Sequence, residues 1–153
     1  HNTATYSNDE VFYLFYGKSY NPNSDRNKKY IKMRGRKVYE FALKNVPAAI
    51  KECVDKSKSN ISEIKKILIH QANAKMDDAI VKRLYNLYNS EAPENIMPLT
   101  VDRFGNSSVA TVPTMYDLIV GGNLENHKIM KGDKIIFASV GAGMHINAMV
   151  YEH

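Results

Sequence analysis

Lys66-Ile67-Leu68-Ile69-His70-Gln71-Ala72-Asn73, running on into Ala74 to Tyr88, is the stretch on which the fold turns. A short apolar run that breaks off in polar residues is the signature of a buried strand delivering its C-terminal end to a site. Beyond Asn73 the spacing turns helical, with Met76, Ala79, Ile80, Leu84 and Leu87 on one face. The segment therefore predicts a strand at 66–70, a polar turn, and a helix over 74–88.

The same grammar extends in both directions. Val38, Phe41, Ala42, Val46, Ala49, Ile50 and Cys53 recur at helical spacing among Lys and Glu, predicting a long helix over 35–57. Pro47 lies inside it and removes a backbone donor, so a bend is expected there. Asn60-Ile61-Ser62-Glu63 predicts a short capped turn. Downstream, Pro93 and Pro98 bracket an irregular segment. Thr100 to Phe104 then reads as a further strand ending at Gly105-Asn106-Ser107-Ser108, with a third helix from about 107 to 120 that stops at Gly121-Gly122. Asp133 to Val140 and Met144 to Tyr151 read as two strands joined by Gly141-Ala142-Gly143, which favours an antiparallel hairpin. Residues 1–30 are an irregular lead-in, with a possible strand at 10–16 and a loop at 17–25. The expected class is α/β: a mixed five-stranded sheet with helices on its faces and a C-terminal β-hairpin.

Composition narrows the function classes. A chain of 153 residues, 44% hydrophobic, buries one core. No apolar run is long enough to span a membrane, and the polar opening His1-Asn2-Thr3-Ala4-Thr5 is not a secretory signal. A start without Met predicts a piece of a longer or processed chain. The single cysteine excludes an internal disulfide and a cysteine-based zinc site, no metal is expected, and a reducing cytoplasm fits. The net charge of +5 is concentrated at Arg26–Lys37 and Lys51–Lys66. It reads as a solvated basic face or a surface for an acidic partner, and it lacks the dense aromatic-laced stripe of a nucleic-acid binder.

His70 and Asn106 each end a predicted strand and precede a predicted helix. They place an imidazole and a carboxamide on neighbouring turns, able to meet over one substrate. A nucleophile to go with them is missing. Cys53 sits late on the apolar stripe of a long helix, not at a helix N-terminus where reactive thiols are found, and reads as inert core.

Four blocks in order, Met33-Arg34-Gly35-Arg36-Lys37-Val38-Tyr39, His70-Gln71-Ala72-Asn73, Asp102-Arg103-Phe104-Gly105-Asn106-Ser107-Ser108 and Gly141-Ala142-Gly143, resemble the C-terminal half of β-ketoacyl-acyl-carrier-protein synthase III, a thiolase-fold condensing enzyme. The resemblance covers about residues 30–153. It implies a thiolase-like half whose Cys-bearing N-terminal partner half is absent from these 153 residues, and a cytoplasmic homodimer for the whole. It further implies a decarboxylative Claisen condensation of acyl-CoA with malonyl-carrier protein. Neither substrate needs a bound cofactor, since each carries its own phosphopantetheine.

By that resemblance His70 and Asn106 are catalytic, two neutral donors aimed at the developing thioester enolate. Gly141, Ala142 and Gly143 form the oxyanion loop, with Ala142 in place of the family's glycine. Gly35, Arg36, Tyr39, Ala72 and Asn73 fall where the family lines its pantetheine tunnel, Arg36 replacing a smaller polar residue. Phe104 stands where a His is common. Lys75, Lys82 and Arg83 lie on the helix that docks the acidic acyl-carrier protein. His145 follows the Gly-Ala-Gly turn and is read as structural. Without the cysteine this half alone is expected to condense nothing. The rival expectation is a non-catalytic module that binds acyl groups or carrier protein, or serves as a partner subunit. A half-enzyme should expose a large apolar face where its partner docks.

Overall fold

The computed structural model describes residues 1–5 and 9–153. The main sheet has four strands in the order β1-β6-β5-β4, where β1 is Asn2–Ala4, β4 Ile64–Ile69, β5 Lys134–Gly141 and β6 His145–Glu152. β4 and β5 are parallel, with Ile67 beside Ile136 and Ile69 beside Ala138; β6 runs antiparallel to both β5 and β1. A separate two-stranded ribbon is formed by β2 (Leu14–Lys18) and β3 (Lys29–Met33).

The class is the expected one, but the strand count differs. The strand expected at 100–104 is instead a one-turn helix, α3 (Val101–Phe104). The lead-in is more ordered than its sequence suggested. β1 pairs with β6, and the possible strand at 10–16 resolves into a 3₁₀ turn at Asp9–Tyr13 followed by β2. Asn2 explains why so short a strand holds. It is buried, donates to Ala49 O and Glu52 Oε2 (3.3 and 3.0 Å), and accepts from Lys56 Nζ (3.1 Å).

Helices cover both faces of the sheet. α1 (Gly35–Lys56) and α2 (Ala74–Asn86) pack with Ile67, Ile69, Ile136, Ala138, Ile146 and Ala148 into the larger core. α4 (Thr111–Val120) lies on the other face, where Met115 and Ile119 meet Leu68 and Ile135. Alternation along each strand makes this division, since successive side chains point to opposite faces.

Both prolines fit. Pro47 takes away the amide that would bond Leu43 O, and Arg83 Nη1 reaches across from α2 to that carbonyl at 3.5 Å. Pro113 falls in the first turn of α4, where an amide has no intrahelical partner anyway. The Asn60 turn is capped as expected: Ser62 N–H donates to Asn60 Oδ1 and Asn60 N–H to Glu63 Oε2. Cys53 is buried on α1, its thiol 3.4 Å from Ala148 O.

One local strain is correctable. α1 ends on Ser57, and the next residue, Lys58, is held at φ 57° with an ordinary side chain. Left-handed backbone disfavours a Cβ, and glycine is the usual occupant of this position. Lys58→Gly should raise unfolding stability by roughly 0.5–1 kcal/mol, the relief of strain outweighing the added freedom of the unfolded chain. An unchanged or lowered urea midpoint would refute this.

Candidate active site

The parallel pair β4/β5 ends at one edge of the sheet, where open α/β sheets place their ligands. His70 leaves β4 with its amide donating to Ala138 O (2.9 Å). Gln71 turns inward and is fully buried. Asn73 adopts extended backbone and N-caps α2, its Oδ1 accepting from Met76 N–H (2.9 Å). From the opposite side, α3 ends at Gly105 (φ 64°), and Asn106 is the next residue.

Two contacts orient the pair. Ser108 N–H donates to Asn106 Oδ1 (2.9 Å), which leaves the Asn106 amide nitrogen as the free end. His70 Nδ1 lies 3.2 Å from Ser108 O. A carbonyl oxygen only accepts, so this bond holds the proton on Nδ1 and leaves Nε2 a lone pair. Asn106 therefore presents a neutral N–H donor, whereas His70 donates from Nε2 only when it carries a second proton. Burial lowers the His70 pKa below its ordinary value, and the Ser108 carbonyl opposes that in part. Ser108 itself is held at φ 55°, a strained conformation next to the two candidate catalytic groups.

His70, Ala72, Asn106, Gly141 and Ala142 line one trough of about 1000 Å³. Its other walls are mostly apolar: Val38 and Ala42 of α1, Met76 of α2, Val109, Val112, Phe137 and Met144. Leu14, Ile31 and Met33 of the ribbon close one side. In the Gly-Ala-Gly turn the positive φ values fall on Gly143 (76°) and Met144 (55°) and spare Ala142, so the alanine costs the loop nothing.

Other expected residues lie elsewhere. Gly35, Arg36, Tyr39 and Asn73 do not line the trough. Arg36 is exposed and paired with Glu40 (2.9 Å), and Asn73 is occupied as a helix cap. Lys75 and Lys82 are exposed on α2, whereas the Arg83 guanidinium reaches Leu43 O of α1. Two neighbours were not expected as functional. His145 lines the trough, its ring against Gly143 and its Nδ1 3.1 Å from Thr5 Oγ1. Ser108 contributes a carbonyl, which no sequence pattern announces.

The trough opens onto an uncovered apolar surface. Val109 is 90% exposed, Ile31 68% and Met33 62%, and Met149 and Tyr151 of β6 are also exposed. Among the described residues no helix is long and apolar enough to cross a membrane.

Comparison with known proteins gives one consistent result. Residues 54–153 match the model of the family described as 3-oxoacyl-[acyl-carrier-protein (ACP)] synthase III C terminal. β-Ketoacyl-[acyl-carrier-protein] synthase III 2 of Lactiplantibacillus plantarum is 31% identical over 130 residues, which is 85% of this chain and 37% of that protein. The synthase III of Pyropia yezoensis is 32% identical over 120 residues, 78% of this chain and 34% of that one. Among solved structures, the synthase III of Thermus thermophilus superposes with a TM-score of 0.78 at 26% identity, covering 99% of this chain and 44% of that chain. A priming β-ketosynthase from the R1128 polyketide pathway, at 21% identity and the same TM-score, shares the fold; 99% of this chain and 43% of that one are covered. The chain thus spans about a third of the length of the curated relatives it matches.

Proposed function

The chain belongs to the 3-oxoacyl-[acyl-carrier-protein] synthase III family, and on that footing we propose that it is the His/Asn-bearing part of a cytoplasmic, homodimeric condensing enzyme. The observation that carries this reading is the convergence of His70, Asn106 and the Gly141–Ala142 loop on one apolar trough at the sheet edge. The reaction is the decarboxylative Claisen condensation of an acyl-CoA with malonyl-carrier protein, the cysteine nucleophile coming from the part of the protein that precedes this one.

In outline, the cysteine takes the acyl group from CoA. The malonyl thioester then loses CO₂, and its electron pair moves onto the thioester oxygen. The Asn106 amide nitrogen donates to that oxygen. The enolate carbon attacks the acyl-cysteine, and the cysteine leaves as thiolate. Summed, the condensation consumes one proton. We assign that proton to His70. Loaded on Nε2, it is presented to the enolate oxygen while Nδ1–H stays on Ser108 O, and it passes to the released thiolate. An apolar surround strengthens both hydrogen bonds and keeps water from the enolate. Lys75 and Lys82 supply exposed positive charge on α2 for an acidic carrier protein, which raises association rates more than affinity; Arg83 is partly committed to α1.

The test is the pH dependence of malonyl-thioester decarboxylation by the complete, acylated protein. If Nε2 donates only as imidazolium, kcat is full below the His70 pKa and falls about tenfold per pH unit above it. A rate independent of pH from about 5 to 9 would mean a neutral Nε2–H donor and a different tautomer from the one held by Ser108.

A further inference from the structure

We propose that Gln71 is a positioning residue that sets the separation of His70 and Asn106; its catalytic consequence rests on the function proposed above. The side chain is fully buried, and both ends of its carboxamide are engaged. Oε1 accepts from Thr100 N–H (2.9 Å), Val101 N–H (3.1 Å) and Thr100 Oγ1 (3.2 Å). Nε2 donates to Pro98 O (2.6 Å) and faces Met115 Sδ at 3.3 Å.

These partners have a particular place in the chain. Thr100 is the N-cap and Val101 the first residue of α3, a single turn whose N-cap side chain makes no capping hydrogen bond. Gln71 therefore caps α3 from 29 residues away. The turn then carries that placement forward: Phe104 N–H bonds Thr100 O and Gly105 N–H bonds Val101 O, both at 2.9 Å. Asn106 is the next residue. The loop closes at its far end through the His70 ring on Ser108 O. His70 and Gln71 are adjacent in sequence, so one dipeptide grips the Asn106 segment at both ends. A one-turn helix has too few internal bonds to hold itself, so without Gln71 its start is free to drift.

A buried glutamine that merely fills space would lower stability when replaced but leave the pair's geometry unchanged. Gln71→Met separates these readings, since it keeps the length and bulk and removes every hydrogen bond. In the complete protein, the expected result is a roughly 10–100-fold lower kcat for malonyl decarboxylation, unchanged KM, and unchanged cysteine acylation. Gln71→Glu keeps the acceptor for Thr100 and Val101 and should retain more of the decarboxylation-to-acylation ratio than Gln71→Met. Selective ¹⁵N labelling of histidine adds a readout independent of the reaction. The His70 Nδ1 signal should move toward that of an imidazole exchanging between tautomers in Gln71→Met, as the Ser108 bond loosens.

A folded Gln71→Met protein with the wild-type rate ratio and an unmoved His70 signal overturns the proposal. If Gln71→Met does not fold, the comparison of Gln71→Glu with wild type decides: a wild-type ratio and signal support the cap, and a collapse of both despite the retained acceptor overturns it. A wild-type protein that decarboxylates no malonyl thioester defeats the functional reading instead, and the nitrogen signal alone then judges the positioning.

Discussion

His70→Ala and Asn106→Ala, each made in the complete protein, should lower malonyl-thioester decarboxylation by about 10²–10³-fold, or roughly 3–4 kcal/mol of barrier. Acylation of the cysteine should survive both changes. Asn106 loses the one amide donor left free once its oxygen is tied to Ser108 N–H. His70 loses the proton carrier and also the grip on Ser108 O, so its removal should disturb the Asn106 side as well. The double variant should consequently fall well short of the product of the single losses, because the two groups share one loop. Acylation measured by intact mass and decarboxylation by CO₂ release separate the steps. Two single variants that decarboxylate at wild-type rates would sink the assignment of both residues.

The parts of this site that the sequence announces are those governed by local chemistry. Lys66–Asn73 reads as strand and turn because its apolar run and its polar ending are contiguous, and the structure places β4 at Ile64–Ile69. The hairpin after Asp133 reads clearly for the same reason: Gly141 and Gly143 mark the turn, and β5 and β6 form on either side of it. Thr100–Phe104 is different. Its own residues are compatible with an extended run, and the decisive interaction is a carboxamide at Gln71. No local window of sequence contains both. Asn2–Ala4 fails likewise, since three residues show no period and their partners, Ile146–Ala148, are at the other end of the chain. The tautomer of His70 is the least legible feature, because it depends on a backbone carbonyl whose position is set by the left-handed turn at Ser108.

Asp77→Asn should stabilise the protein by an amount that grows with pH, from near zero at about pH 4 to of order 3–4 kcal/mol above pH 7. Asp77 lies on the inward face of α2 with no exposed surface, and neither carboxyl oxygen closes a well-formed hydrogen bond. Burial, with the charge of Asp78 adding to it, pushes its pKa up to about 7 from an ordinary 3.8, and the nearby Ala72 amide opposes the rise only weakly. Between those two values the folded state keeps a proton that the unfolded chain has released. Stability therefore falls as pH rises through that window, by roughly 1.4 kcal/mol per unit. Asparagine keeps the shape and has no proton to lose. Glu40, Glu52, Asp55 and Glu63 have lowered pKa values from exposed hydrogen bonds and ion pairs. They titrate alike in both proteins and cancel in the difference. Urea unfolding of wild type and variant at several pH values from about 4 to 8 gives that difference directly, and parallel curves would show that Asp77 is hydrated and ionises freely in the folded state. Asp77 stands one turn into the helix that Asn73 caps, beneath the Ala72 amide that comes after His70-Gln71. Its ionisation would place an unneutralised charge directly under the turn that presents the imidazole, so the same pH range that destabilises the fold should also loosen the site.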